Sequence, residues 1–286
     1  GLSLLFAGAY AGSICGGATG AILADRLGFV PVFAFSALVI ALTFIAAILT
    51  MKESLFLKKA KASKDAVSKR VTASVSPDKE ALQPGQVLRF VFDKNVLALI
   101  CLCSFPAAMA VIGFMNYLCP IYLTDIGVSQ ATIGRVFMIY GLCLIYIAPV
   151  VGKYVDRSGE SKKYLILSGL LGVLAFAVYS VFGNVTVVAV TIFLLGLSAS
   201  CGGAPRRSYI LKLPAAKKLG PGKAMGVFNS VTRIGQILGP LVFGWLMLNF
   251  DVNKGLTLFG GAYLFAVILF YFIAGDDKHL PDPDIS

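Results

Sequence analysis

The chain has 286 residues, of which 58% are hydrophobic and only 14% charged, and its formal net charge is +11. A soluble domain neither buries nor exposes so much apolar surface, so the composition excludes one. The basic excess gathers in particular loops, which reads as membrane topology rather than as nucleic-acid binding.

Several apolar stretches of roughly 20 residues predict an all-α, polytopic membrane protein with about eight transmembrane helices. Polar and apolar residues do not alternate within them, which argues against an outer-membrane barrel. Cys15, Cys101, Cys103, Cys119, Cys143 and Cys201 fall within or at the edge of these stretches and read as small packing residues. The one histidine, His279, lies in the tail, so no zinc ligand set forms and neither metal nor cofactor is expected. Gly1 already stands inside an apolar run without a charged leader, so a piece of a longer protein is expected.

In chain order, the first predicted helix is Gly1–Leu23. Its Gly12, Gly16 and Gly20 recur four apart and share one face, a stripe suited to close helix packing. After the polar turn Asp25–Gly28 comes the second helix, Val30–Met51. Residues 52–94 hold ten basic side chains with Pro77 and Pro84 and read as a cytoplasmic linker, with Val87–Phe92 along the membrane surface. The third helix, Val96–Leu123, contains Pro106 and Pro120, and the fourth is Ala131–Val151. A charged loop, Gly152–Lys163, leads to Tyr164–Phe182 and, across Gly183-Asn184, to Val185–Gly203. A basic loop, Pro205–Lys223, precedes Ala224–Phe250 and Leu256–Ala274, and a polar tail closes the chain. With both basic loops, the linker and the tail inside, 21 of the 25 Lys and Arg are cytoplasmic and three are outside, a strong positive-inside signal. The protein is therefore placed in the plasma membrane as a multi-pass protein.

Arg233 is the most informative residue. It stands about ten residues into its helix, roughly 15 Å deep, where a charge faces a cavity or a partner. Asn229, Arg233 and Gln236 follow i, i+4, i+7 and form one polar stripe beside Thr232. The stripe reads as lining a water-accessible pathway, with Arg233 meeting an anionic substrate group or an acidic partner, or else as a pairing surface for a neighbouring helix. Gly235 and Gly239 on the same helix offer a close-packing face, and Pro240 predicts a kink. Asn116 and Tyr117 on the third helix are candidate substrate contacts, as are Tyr122, Tyr140 and Tyr146, with interfacial anchoring as the alternative. No Asp or Glu falls near a predicted helix midplane.

The segment Gly152-x3-Asp156-Arg157-x-Gly159-x2-Lys162-Lys163 resembles the signature loop of the major facilitator superfamily. Gly226-x8-Gly235-x3-Gly239-Pro240 is similar to that family's glycine-proline motif. The resemblance implies that residues 1–51 are the last two helices of an N-terminal bundle, 52–94 the central linker, 95–275 a C-terminal six-helix bundle and 276–286 a cytoplasmic tail. It implies alternating access by two pseudo-symmetric halves. It places Asp156 near a helix N-terminus and gives Arg157, Lys162 and Lys163 a cytoplasmic gate role, with Glu160-Ser161 departing from the family's usual basic residues there. The expected partners are a small-molecule substrate, a coupling proton or sodium ion, and the lipid bilayer, with no nucleic acid. The expected function is secondary transport of a small solute and not catalysis. A membrane sensor or receptor built on a transporter-like bundle is the alternative.

Overall fold

The structure is a computed structural model, and it describes residues 26–50, 84–181 and 185–275, with a few single positions between 12 and 24. Most of the predicted first helix, most of the linker, the Gly183-Asn184 turn and the tail lie outside the described residues. Seven helices among the described residues are long and apolar enough to cross a membrane. The contacts divide the chain into two units, one holding Leu23–Ala81 and the other Leu82–Ser286 with the first 22 residues.

In the first of these units α1 spans Phe29–Thr50, after Gly28 turns the chain at a φ of 81°. Its described side chains are exposed except for the half-buried Val32, and they include Val30, Phe33, Ile40 and Phe44. A helix apolar on every side suits lipid rather than water.

The other unit is a six-helix bundle with two short accessory helices. α2 (Pro84–Val91) buries Phe90 in the core of the bundle and exposes Leu88. The bundle then runs through α3 (Lys94–Asp125), α4 (Gln130–Ser158), α5 (Ser161–Val181), α6 (Val185–Lys212), the short α7 (Pro214–Leu219), α8 (Pro221–Asn249) and α9 (Val252–Ile273).

Local chemistry sets the ends. Asp93 caps α3 by accepting from the backbone N–H of Asn95 and Val96 at 3.1 and 3.4 Å. Ser129 caps α4 through the N–H of Thr132, and Gly159 ends it in the left-handed region at a φ of 66°. Two π-helical stretches, Leu99–Ser104 and Ala110–Leu118, interrupt α3. Each lies just ahead of a proline. Pro106 and Pro120 clash with the carbonyls of Leu102 and Asn116, four residues back, and a widened turn at those carbonyls absorbs the clash.

The packing has an internal symmetry. α3 packs on α8 and α9, α6 on α4 and α5, and α5 on α9. Exchanging α3, α4 and α5 for α6, α8 and α9 maps α3–α8 onto α6–α4 and α5–α6 onto α9–α3, and α5–α9 onto itself. The bundle is thus a three-helix pattern used twice. Its interior has two layers. In one, Phe114, Phe176, Phe243 and Phe259 pack together, edge-on for Phe114–Phe176 with ring centroids 5.4 Å apart and tilted for Phe243–Phe259 at 4.7 Å. In the other, Val96, Leu99, Leu165, Tyr209, Ile210, Leu213 and Phe270 close one end.

Two segments read from the sequence as loops are helical. α4 runs seven residues past Val151, so only Gly159 and Glu160 connect it to α5. Charged residues do not end a helix, Gly152 continues it, and Gly159 ends it by turning into the left-handed region. α6 continues through Pro205 to Lys212 because Tyr209, Ile210 and Leu213, all fully buried, hold its last turns in the core. Arg206 and Arg207 therefore belong to a bundle helix and not to a loop.

Candidate functional site

A cavity of about 690 Å³ opens within the bundle, framed by α3, α4, α6, α8 and α9. Its wall on α3 includes three small residues, Ala107, Ala108 and Ala110, together with Val111 and Ile112. Tyr140 on α4, Ser198 on α6 and Tyr263 on α9 add polar groups. From α8 come Asn229, Thr232, Arg233 and Gln236, so the expected stripe is brought to one surface. Arg206 and Arg207 of α6 face the same space, and no Asp or Glu is among the lining residues.

Arg233 donates from Nη1 to Gln236 Oε1 at 2.9 Å, one turn along its own helix. Thr232 donates back to the Phe228 carbonyl at 2.7 Å, which satisfies its hydroxyl within α8. Arg206 lies deeper. A Cβ on Gly202 would stand 2.6 Å from its Nη2, so the glycine makes room for the guanidinium, which reaches the buried Cys103 thiol. Its Nε is buried and lacks a hydrogen-bond partner.

The serines near the cavity hold helices together. Ser168 and Ser198 each donate to the other's carbonyl at 2.7 Å, joining α5 to α6. Ser200 donates to the Cys143 carbonyl at 3.0 Å, joining α6 to α4. Such bonds substitute for the hydrophobic drive that lipid does not supply.

Other expected residues lie elsewhere. Asn116 and Tyr117 are exposed on α3 and do not line the cavity. Tyr122 joins the aromatic layer 6.2 Å from the Tyr179 ring, and Tyr146 is 70% exposed. On α8, a Cβ at Gly235 would meet Phe105 of α3 at 2.8 Å and one at Gly239 would meet the Gly113 backbone nitrogen at 2.9 Å, so both glycines sit at the closest approach of the two helices. Pro240 follows inside the same helix. Gly12, Gly16 and Gly20 fall among the described positions, and no described neighbour lies within 4 Å of a Cβ built on Gly12 or Gly16.

The Gly152–Lys163 segment is the end of α4 and the start of α5. Gly152, Asp156 and Arg157 lie in the last two turns of α4, so Asp156 stands near the C-terminus of its own helix and not at its N-terminus. Lys163 pairs with Glu160 at 2.8 Å on the surface. Lys162 donates to the Ala274 carbonyl at 2.6 Å, capping α9, and its ammonium lies 5.6 Å from the Tyr271 ring centre. Lys212, unremarked in the sequence, is buried and donates to the Gly159 carbonyl at 2.6 Å, so it caps α4 from α6. Lys212→Met should destabilise the bundle by about 1.5–3 kcal/mol, the usual worth of a hydrogen bond from a charged donor. Thermal unfolding in detergent checks this, and an unchanged midpoint would remove the cap from the account of stability.

The fold and cavity define a polytopic, all-helical membrane protein. The chain belongs to the Major Facilitator Superfamily, whose sequence profile matches residues 1–220 and, overlapping, 118–285. Over 281 residues it is 24% identical to multidrug resistance protein MdtG of Proteus mirabilis, covering 96% of this chain and 63% of the relative. Over 154 residues it is 26% identical to an Agrobacterium vitis protein named as a tartrate transporter, covering 52% of this chain and 32% of that one. A Cupriavidus necator protein named as a probable sulfoacetate transporter, SauU, is 25% identical over 189 residues, covering 64% of this chain and 42% of its own length. The chain thus spans less than two thirds of each of these curated relatives.

Proposed function

We propose that the chain is the working part of a secondary transporter for a small organic anion, operating by alternating access in the plasma membrane. The observation that carries this is the cavity wall, with three arginines and no carboxylate among its lining residues. Guanidiniums lining a cavity in a low-dielectric bundle raise the local concentration of anions and repel cations. Relatives named for tartrate and for sulfoacetate support the same chemistry. The relative named for multidrug resistance matches more of the chain, but three arginines on the described wall disfavour a cationic solute.

On this reading the end bearing Lys162 and Lys212 faces the cytoplasm, as the positive-inside pattern requires. Asp156, Arg157, Lys162 and Lys163 lie where a cytoplasmic gate would open and close, and a proton or sodium gradient drives the cycle. The glycine faces of α8 allow the tight packing such a bundle needs.

The test is uptake into proteoliposomes containing the purified protein. Labelled tartrate should enter saturably, compete with sulfoacetate and accumulate under one imposed ion gradient, proton or sodium. Saturable entry of ethidium that neither anion competes, with no tartrate entry, would overturn the proposal.

A further inference from the structure

We infer that the cavity takes a doubly charged organic anion, one acid group held by Arg233 on α8 and the other by Arg206 on α6. This rests on the anion-transport reading above and specifies its substrate class.

The two arginines occupy different depths. α6 ends and α8 begins at the same end of the bundle, joined through the short α7. Arg206 precedes the end of α6 by six residues, about 9 Å at 1.5 Å per residue, and Arg233 follows the start of α8 by twelve, about 18 Å. Both line one cavity, yet their backbones are separated along the bundle by about 9 Å on that count. Two guanidiniums so spaced grip the two ends of a short chain better than they share one carboxylate.

Each retains donor capacity. A guanidinium has five N–H donors in a planar fork that matches a carboxylate or sulfonate. Arg233 commits one nitrogen to Gln236, and Arg206 has a buried Nε with no hydrogen-bond partner. The Arg206 guanidinium as a whole lines the cavity, where the low dielectric strengthens its attraction for an anionic group. The alanines of α3 line the same space as the two arginines, and Asn229 and Tyr140 can meet hydroxyl or carbonyl groups on the connecting carbons.

The test is competition against labelled tartrate uptake at neutral pH. Succinate carries two charges, and its half-amide succinamate has the same length with one. Succinate should compete at about 10- to 100-fold lower concentration than succinamate, the usual worth of one charge-assisted hydrogen-bonded group. Arg206→Gln should erase that gap by weakening succinate alone, and Arg206→Lys should restore part of it. If Arg206→Gln does not fold, the ratio in the unmodified protein still decides. Equal competition by the two compounds in the unmodified protein overturns the two-point site while leaving anion transport standing. An equal loss for both compounds in Arg206→Gln overturns the role given to Arg206. Failure of any anion to enter overturns the earlier reading as well.

Discussion

Arg233→Gln is expected, on the anion-transport proposal, to lower kcat/KM for the solute by about a hundredfold while leaving the folded protein intact. The substitution removes the charge, shortens the side chain and leaves an amide that still forms hydrogen bonds. A hydrogen bond to a charged group is worth about 1.5–3 kcal/mol, and every 1.4 kcal/mol is a factor of ten. The guanidinium lines the cavity, so its loss is felt by the solute. Its one hydrogen bond runs to Gln236 in the same helix, so little of the bundle's packing depends on it. The thermal unfolding midpoint should therefore move by no more than a degree or two, since exposed substitutions generally stay within about 0.5 kcal/mol. Arg233→Lys should recover only part of the rate, because a point charge does not reproduce a planar fork. Proteoliposome uptake kinetics, with detergent unfolding as the control, separate the outcomes. Unchanged kinetics in Arg233→Gln would take this residue out of the mechanism.

Gly239→Val should do the reverse, collapsing the amount of folded protein before any kinetic effect can be read. The backbones of α3 and α8 touch at Gly113 and Gly239. A Cβ on Gly239 would stand 2.9 Å from the Gly113 nitrogen and 3.3 Å from Met109 Cα, and both of these are backbone atoms that cannot rotate aside. At Gly113 the added carbon would collide with Phe243, a fully buried ring of the aromatic layer. Overpacking usually costs about 1–3 kcal/mol and more where the backbone itself must shift, so a β-branched side chain here falls at the severe end. Gly226→Ala on the same helix is the control, because nothing lies within 4 Å of its Cβ position. Fluorescence-detected size exclusion of both variants checks the contrast. A monodisperse Gly239→Val with an unchanged unfolding midpoint would show that the two helices do not pack as described.

The membrane class and the six bundle helices were legible because uninterrupted apolar length is a strong signal and basic residues mark one side. The Asn229–Arg233–Gln236 stripe was legible for a related reason. Polar residues at helical spacing inside an apolar run have few places to face, and the structure brings them to one cavity. Arg206 and Arg207 were missed because proline followed by two arginines looks like a loop. The signal that could have found them is the next segment, where Tyr209, Ile210 and Leu213 recur at helical spacing and are fully buried. The extent of α4 was missed likewise, since composition marks where a helix leaves the apolar phase and not where its hydrogen bonding stops. Lys212 and its bond to Gly159 join segments 53 residues apart, a pairing no local pattern encodes.

The doubled three-helix pattern has a consequence for how the protein is made. α3 rests on α8 and α9, the last helices of the bundle to be synthesised. At about 5–20 residues per second, roughly 100 residues pass between the completion of α3 and the arrival of α8, a wait on the order of ten seconds. Through that interval the face of α3 that carries Gly113 has no partner of its own. The chain must therefore be inserted in pieces and assembled afterwards. Truncating it anywhere before α8 would strand α3 in lipid as a target for the membrane's quality-control proteases.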